Sequence, residues 1–279
     1  MKKSSRLGLI ATYIVATILV LMVILPLLWI FMMSFKEPID IIKWPPSFVF
    51  KLSLENYKAV FSSSSSHFGI VLLLINSIIT TVTSTVIAVS LATVSAYSLS
   101  RLKPKGTRIL SFIILTSRMI PPITLIVPLY IIYTRINLFD TRIGLILVFI
   151  ALNIPFATWL MKGFFQDIPK SIEEAAMIDG CTPFQSFWKI ILPIAVPGVA
   201  ATSIFSFILS WNSLIIPLIL TTIKAPTLPI LASQVRTDEG ILWGQMGVMS
   251  VFMIIPVIIF TIFATEYLIK GLLSGAVKQ

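Results

Sequence analysis

Residues Ser171–Pro193 read SIEEAAMIDGCTPFQSFWKIILP. This polar, punctuated stretch lies between long apolar runs in a chain that is 57% hydrophobic and only 11% charged. Its local signals write two short helices about a sharp turn. Ser171 with Glu174 predicts a capping box, the hydroxyl accepting from the third backbone amide and the carboxylate reaching back. Glu173 and Glu174 fall in the first turn, where the helix dipole favours negative charge. Gly180 supplies the left-handed residue that ends a helix. Thr182, Pro183 and Gln185 repeat the start signal, and Pro193 is expected to bar further helix. Helices this short are marginal alone and need a surface to pack on. Phe184, Phe187, Trp188 and Ile191 recur at spacings that predict one apolar face. Two readings fit these signals: an amphipathic elbow on a membrane surface, or a docking element for a soluble partner.

The flanking sequence sets the environment. Mean hydropathy is +1.01, far above the range of soluble proteins. Leu7 to Phe35, Phe68 to Ser100, Ile143 to Met161, Ile190 to Ile223 and Gly240 to Thr265 contain no Asp, Glu, Lys or Arg, and Ile109 to Thr134 contains only Arg118. A span needs about 20 apolar residues, and lipid requires every backbone group to be satisfied internally, which makes the spans helical. The expectation is an all-α integral membrane fold with six transmembrane helices. Residues 1–67 would form the first helix and an external loop, and residues 68–279 the core. The first run has a basic flank in Lys2, Lys3 and Arg6, but it is too long for a cleaved signal peptide and no A-x-A site follows.

The net charge of +10 raises nucleic acid as a partner. Its distribution argues for topology instead, with no nucleic-acid role. With the N-terminus inside, the larger share of Lys and Arg falls on cytoplasmic segments, most clearly in RLKPKGTR at 101–108. That bias predicts a multi-pass protein of the cell membrane with both termini cytoplasmic. Cys181 is the sole cysteine, which excludes an internal disulfide and any Cys-rich metal site; no metal is expected. His67, the only histidine, sits beside the serine run Ser62–Ser66 and reads as inert rather than as a proton relay.

Polar residues inside spans are costly and face a cavity or another helix. Asn76, Ser77, Thr80, Thr81, Thr83, Ser84 and Thr85 crowd the second span, where helix packing explains most of them. Asn76, Asn153, Trp211 and Asn212 are candidates for a translocation path. Arg118 is a fifth. It would cost about 2.5–3.5 kcal/mol at a membrane centre unless paired or hydrated. It precedes Pro121-Pro122, which free backbone carbonyls, so bonding those carbonyls and touching a solute are equally open roles. Pro128, Pro217 and Pro256 predict kinks.

Glu174-Ala175-Ala176, then three residues, Gly180, nine more, Ile190, one more, and Leu192-Pro193 together resemble the EAA signature of binding-protein-dependent ABC importer permeases. The resemblance runs from about Leu72 to the end. SRMIPPITLIVPLY, NLFDTRIGLIL, PFATWLMKGFFQDIPKSIEEAAMIDG and FSFILSWNSLIIPLIL are similar to the carbohydrate branch, and specifically to the second membrane subunit of maltose-type systems. It implies a type I importer fold whose hairpin is a cytoplasmic coupling helix seated in a cleft of an ATP-binding subunit. The coupling residues would be Glu173, Glu174, Ala175, Ala176, Gly180, Phe184, Ile190, Leu192 and Pro193. It further implies a second permease subunit, two ATP-binding subunits that hold ATP and Mg, an extracytoplasmic solute-binding protein, surrounding lipid, and a sugar-like solute such as a disaccharide, oligosaccharide or polyol. The loop Ile223 to Gly240 would touch the binding protein. The tail KGLLSGAVK, with Lys270, Gly271, Leu272, Gly275 and Lys278, resembles the contact tail of that branch. Relatives commonly carry an acid after Trp-Asn; here Ser213 follows Asn212.

No cofactor is expected in this chain, since no G-x-x-x-x-G-K-[ST] loop is present. A stand-alone channel or secondary transporter would work without an ATPase and pair charges across helices, for which only Arg118 and Glu266 are available; no convincing repeat relates the two halves. A membrane enzyme would need a constellation such as HExxH, G-x-S-x-G or clustered acids, and none occurs.

Overall fold

The computed structural model describes residues 6–62, 69–231, 236–237 and 240–276, with backbone alone for 6–7, 236–237 and 268–276. His67 and Lys278 lie outside the described residues. The chain divides into two compact units, one of residues 1–70 with 231–254, the other of 71–230 with 255–279. The boundary expected at 67/68 therefore falls at 70/71, and the segment 231–254, expected within the core, groups with the N-terminal residues.

In the first unit, α1 (Arg6–Ser34) is apolar all round and exposed to its outside along most of its length. That is the pattern of a helix whose solvent is lipid. Two short helices follow, α2 (Pro38–Ile42) and α3 (Glu55–Phe61), with a two-stranded antiparallel hairpin that places Arg236 opposite Ile241 and Thr237 opposite Gly240. Asn56 donates to the carbonyls of Ser34 and Lys36 at 3.3 and 2.7 Å, satisfying the open end of α1.

The second unit holds α4 (Ile70–Tyr97, from residue 71), α5 (Thr107–Ser117), α6 (Pro122–Arg135), α7 (Arg142–Asp167), α8 (Lys170–Ile178), α9 (Pro183–Ser186), α10 (Leu192–Ile194), α11 (Val196–Trp211) and α12 (Ile215–Leu220). The last helix, α13 (Trp243–Ala276), divides between the units at residue 254. Among the described residues four helices are long and apolar enough to cross a membrane, and up to six segments if each of two bent pairs counts as one span. The third expected span is not a continuous helix. It breaks by 90° between α5 and α6, because Pro121-Pro122 withdraw two donors and their rings clash with the preceding turn. The helix stops at Ser117 and restarts with Pro122 at its first position. The fifth is bent by 71° between the segment Pro183–Ile194 and α11.

Close packing between α7 and α11 depends on Gly198, where a Cβ would lie 2.5 Å from the Phe164 ring. In α4 the crowded hydroxyls of Ser77, Thr80, Thr81, Ser84 and Thr85 are buried and that of Thr83 half-buried. Thr80 and Ser84 return theirs to the carbonyls of Asn76 and Thr81 at 2.7 and 3.1 Å, which lets them sit in an apolar helix without open donors.

One polar clamp joins the chain across long sequence separations. Asp140, buried and left-handed at φ 56°, accepts from the amides of Thr222, Ile223, Lys224 and Ala225 at 2.9–3.2 Å and from the Thr222 hydroxyl. Asn76 donates to the carbonyls of Lys224 and Pro226 and accepts from Arg142 Nε at 2.7 Å; Ser77 accepts from the Leu228 amide. Consequently residues 225–230 are buried, and within the loop expected to touch a binding protein, Ile223 to Gly240, this part is packed down while Ile223 and Lys224 stay exposed. Burial pushes the Asp140 carboxyl up, but the four amides outweigh it and hold it below its ordinary range.

Asp140→Asn keeps the left-handed backbone, which asparagine tolerates, and removes the charge. Charge-assisted hydrogen bonds contribute about 1.5–3 kcal/mol, so the variant should be less stable at neutral pH by about that amount, read from thermal unfolding of the assembled protein. Because folding lowers this pKa, the stabilisation is complete above the unfolded value of about 3.9 and lost as pH falls through the folded one. The gap should begin to close as pH falls below about 4 and vanish once pH has passed through the folded value; a gap untouched by acid would contradict the charge assignment.

Candidate coupling hairpin and polar cleft

The turn at Gly180 has φ 87° with open space where a Cβ would stand, so backbone conformation rather than crowding demands glycine. Beyond it, Thr182 accepts from the Gln185 amide at 3.3 Å and the Gln185 side chain accepts from the Thr182 amide at 2.9 Å, a complete capping box.

The first helix starts differently from the sequence expectation. Its cap is Pro169, and α8 already includes Lys170 and Ser171. The Ser171–Glu174 box does not form, because Ser171 is inside the helix and its hydroxyl cannot reach back to a third amide. Glu174 is exposed. Glu173 is the buried acid instead. Tyr97 Oη donates to Glu173 Oε1, and the Arg101 guanidinium lies 3.7 Å from Glu173 Oε2. Arg101 also donates through Nη2 to the carbonyls of Phe165, at 2.6 Å, and Ile168, closing the open end of α7. The carboxylate thus ties α8 to the end of α4, and the arginine ties both to the end of α7.

Apolar packing reinforces that anchor. Phe187, Ile191 and Ala195 sit in one cluster with Ala96, Tyr97, Met161, Phe165 and Ile168. Tyr97 and Phe187 have ring centroids 4.6 Å apart. Burying Phe187 and Ile191 contributes about 1.5–3 kcal/mol each. The single apolar face expected of the second helix does not exist: Phe187 and Ile191 turn inward while Phe184 and Trp188 remain exposed. A π-helical turn over Phe187–Ile191 causes the split by winding more residues into one turn. It also explains why Pro193 does not stop the helix. The widened turn relieves the clash with the carbonyl four residues back, and the chain continues through α10 to a bend at Ala195 before α11.

The outward surface of the hairpin therefore carries Glu174, Ala175, Ile178, Gly180, Phe184 and Trp188, with Ile178 86% and Phe184 72% exposed. Ala176 faces inward, Ile190 and Leu192 are half-buried, and Pro193 is exposed.

The path candidates separate. Arg118, Asn153 and Asn212 line one cleft of about 570 Å³, with Ser210, Ser213, Phe149 and Pro121-Pro122. Asn153 donates to the Ser210 hydroxyl at 2.7 Å, joining α7 to α11. Arg118 donates to the Leu152 carbonyl at 3.2 Å and lies over the Phe156 ring, so it bonds α7 rather than the carbonyls freed beside it. Asn212 is at the break between α11 and α12, where the chain leaves a polar step in the wall. Asn76 and Trp211 are not on that wall. Asn76 is buried in the Asp140 clamp, and Trp211 is buried in a stack with Phe207, which stacks in turn on Phe260. Lys270, Gly271, Leu272 and Gly275 fall in the helical backbone of α13. Among the described residues no group of His, Cys, Asp and Glu is placed to hold a metal ion.

Sequence reasoning missed Tyr97, Arg101 and Asp140. Tyr97 and Arg101 are four apart at the end of an apolar run, on one helix face, and that spacing was the available signal. Asp140 is a lone acid in a short turn between two apolar runs.

Several known proteins resemble the chain. It is 37% identical over 273 residues to the trehalose transport system permease protein SugB of Mycobacterium tuberculosis, across 96% of this chain and 98% of that protein. It is 32% identical over 282 residues to the diacetylchitobiose uptake system permease protein DasC of Streptomyces coelicolor, across 99% of each. Its structure is similar to a chain in the crystal structure of a bacterial ABC transporter involved in the import of the acidic polysaccharide alginate, with a TM-score of 0.71, 25% identity, and coverage of 96% of this chain and 98% of that one. Residues 84–274, which contain the Glu173 anchor, the Gly180 turn and the polar cleft, match the family described as binding-protein-dependent transport system inner membrane component. The chain belongs to that family.

Proposed function

We propose that this chain forms half of the translocation path of an ATP-driven sugar importer and that its α8–α9 hairpin docks in a partner ATPase. The observation that carries the reading is the division of labour in the hairpin. Glu173, Phe187 and Ile191 bind it to the membrane helices, while Glu174, Ala175, Ile178, Phe184 and Trp188 stay free for a partner. An exposed apolar patch rimmed by polar groups is the mark of an interaction site. The relatives named for trehalose and diacetylchitobiose favour a disaccharide or oligosaccharide, with a polyol as a related class. The cleft fits such a solute in chemistry, since amide, hydroxyl and guanidinium groups stand among apolar walls.

The chain is a permease subunit and not an enzyme; ATP hydrolysis lies in partner subunits. In the proposed assembly two such subunits bind ATP and Mg, a second permease completes the path, and an extracytoplasmic binding protein delivers the solute. Both termini and the hairpin lie on the cytoplasmic side. Closure of the ATPases moves the hairpin, and the hairpin moves α4, α7 and α11, a two-state change biased by nucleotide.

Paired substitutions test the two faces. Glu173→Ala breaks a buried charged contact and should destabilise the protein by about 3 kcal/mol, read as a lower unfolding temperature. Glu173→Gln, which still accepts from Tyr97, should fall between that and the parent. Glu174→Ala should leave the unfolding temperature unchanged and weaken co-purification with the ATPase and ATP-dependent uptake. If Glu174→Ala destabilises the fold as Glu173→Ala does, the assignment of faces is wrong.

Gly180 gives an independent test. Gly180→Ala meets open space and carries only the left-handed penalty of about 1–2 kcal/mol, so coupled uptake should survive. Gly180→Pro cannot adopt φ 87° and should abolish uptake while insertion persists. Full uptake by the proline variant would contradict the turn's role.

A further inference from the structure

We propose that residues 38–52 form an interfacial strap that seats Ile42, Trp44, Val49 and Leu52 in the headgroup–acyl boundary of the phospholipid bilayer beside the end of α1. The inference is independent of the hairpin's partner, since it rests only on α1 crossing the membrane.

The strap is built rather than loose. Lys36, wholly buried, donates through Nζ to the Ser47 carbonyl at 2.6 Å, with its ammonium over the rings of Trp29 and Phe50 at 4.4 and 4.9 Å. The Ser53 amide donates to the Phe35 carbonyl at 2.9 Å, returning the far end of the strap to its start. Phe48 meets the edge of Trp29 at 5.9 Å. Both ends of the strap are thereby fixed to the last turns of α1.

Its burial pattern is inverted for a water-facing loop. The lysine at its base is enclosed, while Ile39, Ile42, Trp44, Phe48, Val49 and Leu52 are 69–95% exposed. Such a set is unfavourable in water, about 25 cal/mol for each exposed Å² of apolar surface. Lipid is the occupant that the geometry provides. The strap leaves α1 directly after Ser34, and the outward side chains of α1 are apolar along its length. A bilayer that holds α1 holds the strap at its boundary.

The composition fits that level of the membrane. Aromatic residues collect at the interface, where an apolar ring and a polar edge are both accommodated. Within the strap Lys43 and Lys51 outnumber Asp40, which leaves a net charge of +1, the sign that phospholipid phosphates attract. Pro45 and Pro46 remove two backbone donors that would otherwise need partners where water is scarce.

The test uses the assembled transporter in lipid nanodiscs, with a diazirine-bearing side chain at position 49. Val49 is 95% exposed, so the replacement disturbs no packing. Position 52 serves as a second site and Val20 on α1 as a lipid-facing reference. Irradiation should give phospholipid adducts at positions 49 and 52, with and without the binding protein present. In phosphatidylglycerol bilayers the yield should exceed that in phosphatidylcholine, and Lys43→Gln with Lys51→Gln should reduce this preference by about fivefold for each lysine near the surface. Crosslinks to another subunit or to the binding protein would overturn the proposal, as would hydration products alone. A yield indifferent to headgroup charge would overturn the part played by the two lysines.

Discussion

The bond from Tyr97 to Glu173, with Arg101 beside it, is the interaction on which the rest of this structure depends. It lies where helices α4, α7 and α8 end or begin. Each of those ends leaves backbone groups without helical partners. Arg101 satisfies two carbonyls of α7 while it stands against the carboxylate. One buried acid therefore fixes a short helix, too short to persist alone, to two membrane helices. The π-helical turn completes the attachment by directing Phe187 and Ile191 into the same cluster.

This arrangement gives the hairpin two unlike surfaces. The inner one is dense with aromatic contacts and one charged group. The outer one carries Glu174, Ala175, Ile178, Phe184 and Trp188, all exposed, with the Trp188 ring set edge-on between Phe184 and Phe187. Small groups such as Ala175 permit a partner backbone to approach closely, and the exposed aromatics supply the contact area that dominates interfaces. At the far end of α4 a second polar device, the Asp140 clamp, holds the segment after α12. Both devices use a buried carboxylate to organise chain ends.

Much of this was legible in the sequence where a residue has one dominant local effect. Gly180 announces a left-handed turn, Thr182-Pro183-x-Gln185 a capped start, and the uncharged runs announce lipid-embedded helices. Legibility failed where tertiary partners choose between local options. Ser171 and Glu174 satisfy the capping pattern, but Pro169 starts the helix earlier and Tyr97, 76 residues away in the chain, selects Glu173. Pro193 reads as a stop only if the preceding turn is α-helical; the π-turn changes that condition. Arg118, Asn153 and Asn212 share one wall, whereas Asn76, equally polar and equally embedded by sequence, is consumed by Arg142 and two carbonyls. Hydropathy cannot distinguish a side chain that faces a cleft from one that closes a clamp.

The central claim is that the Glu173 anchor makes the hairpin move with α4 as one body. Spin labels at Met177 on α8 and Lys103 after α4, in a Cys181→Ala background, measure it by electron–electron resonance in the assembled transporter. The account predicts the same distance distribution with and without ATP in the parent, and a broadened one in Glu173→Ala. A distance that shifts with nucleotide in the parent would show a hairpin that swings against α4, and would contradict the account.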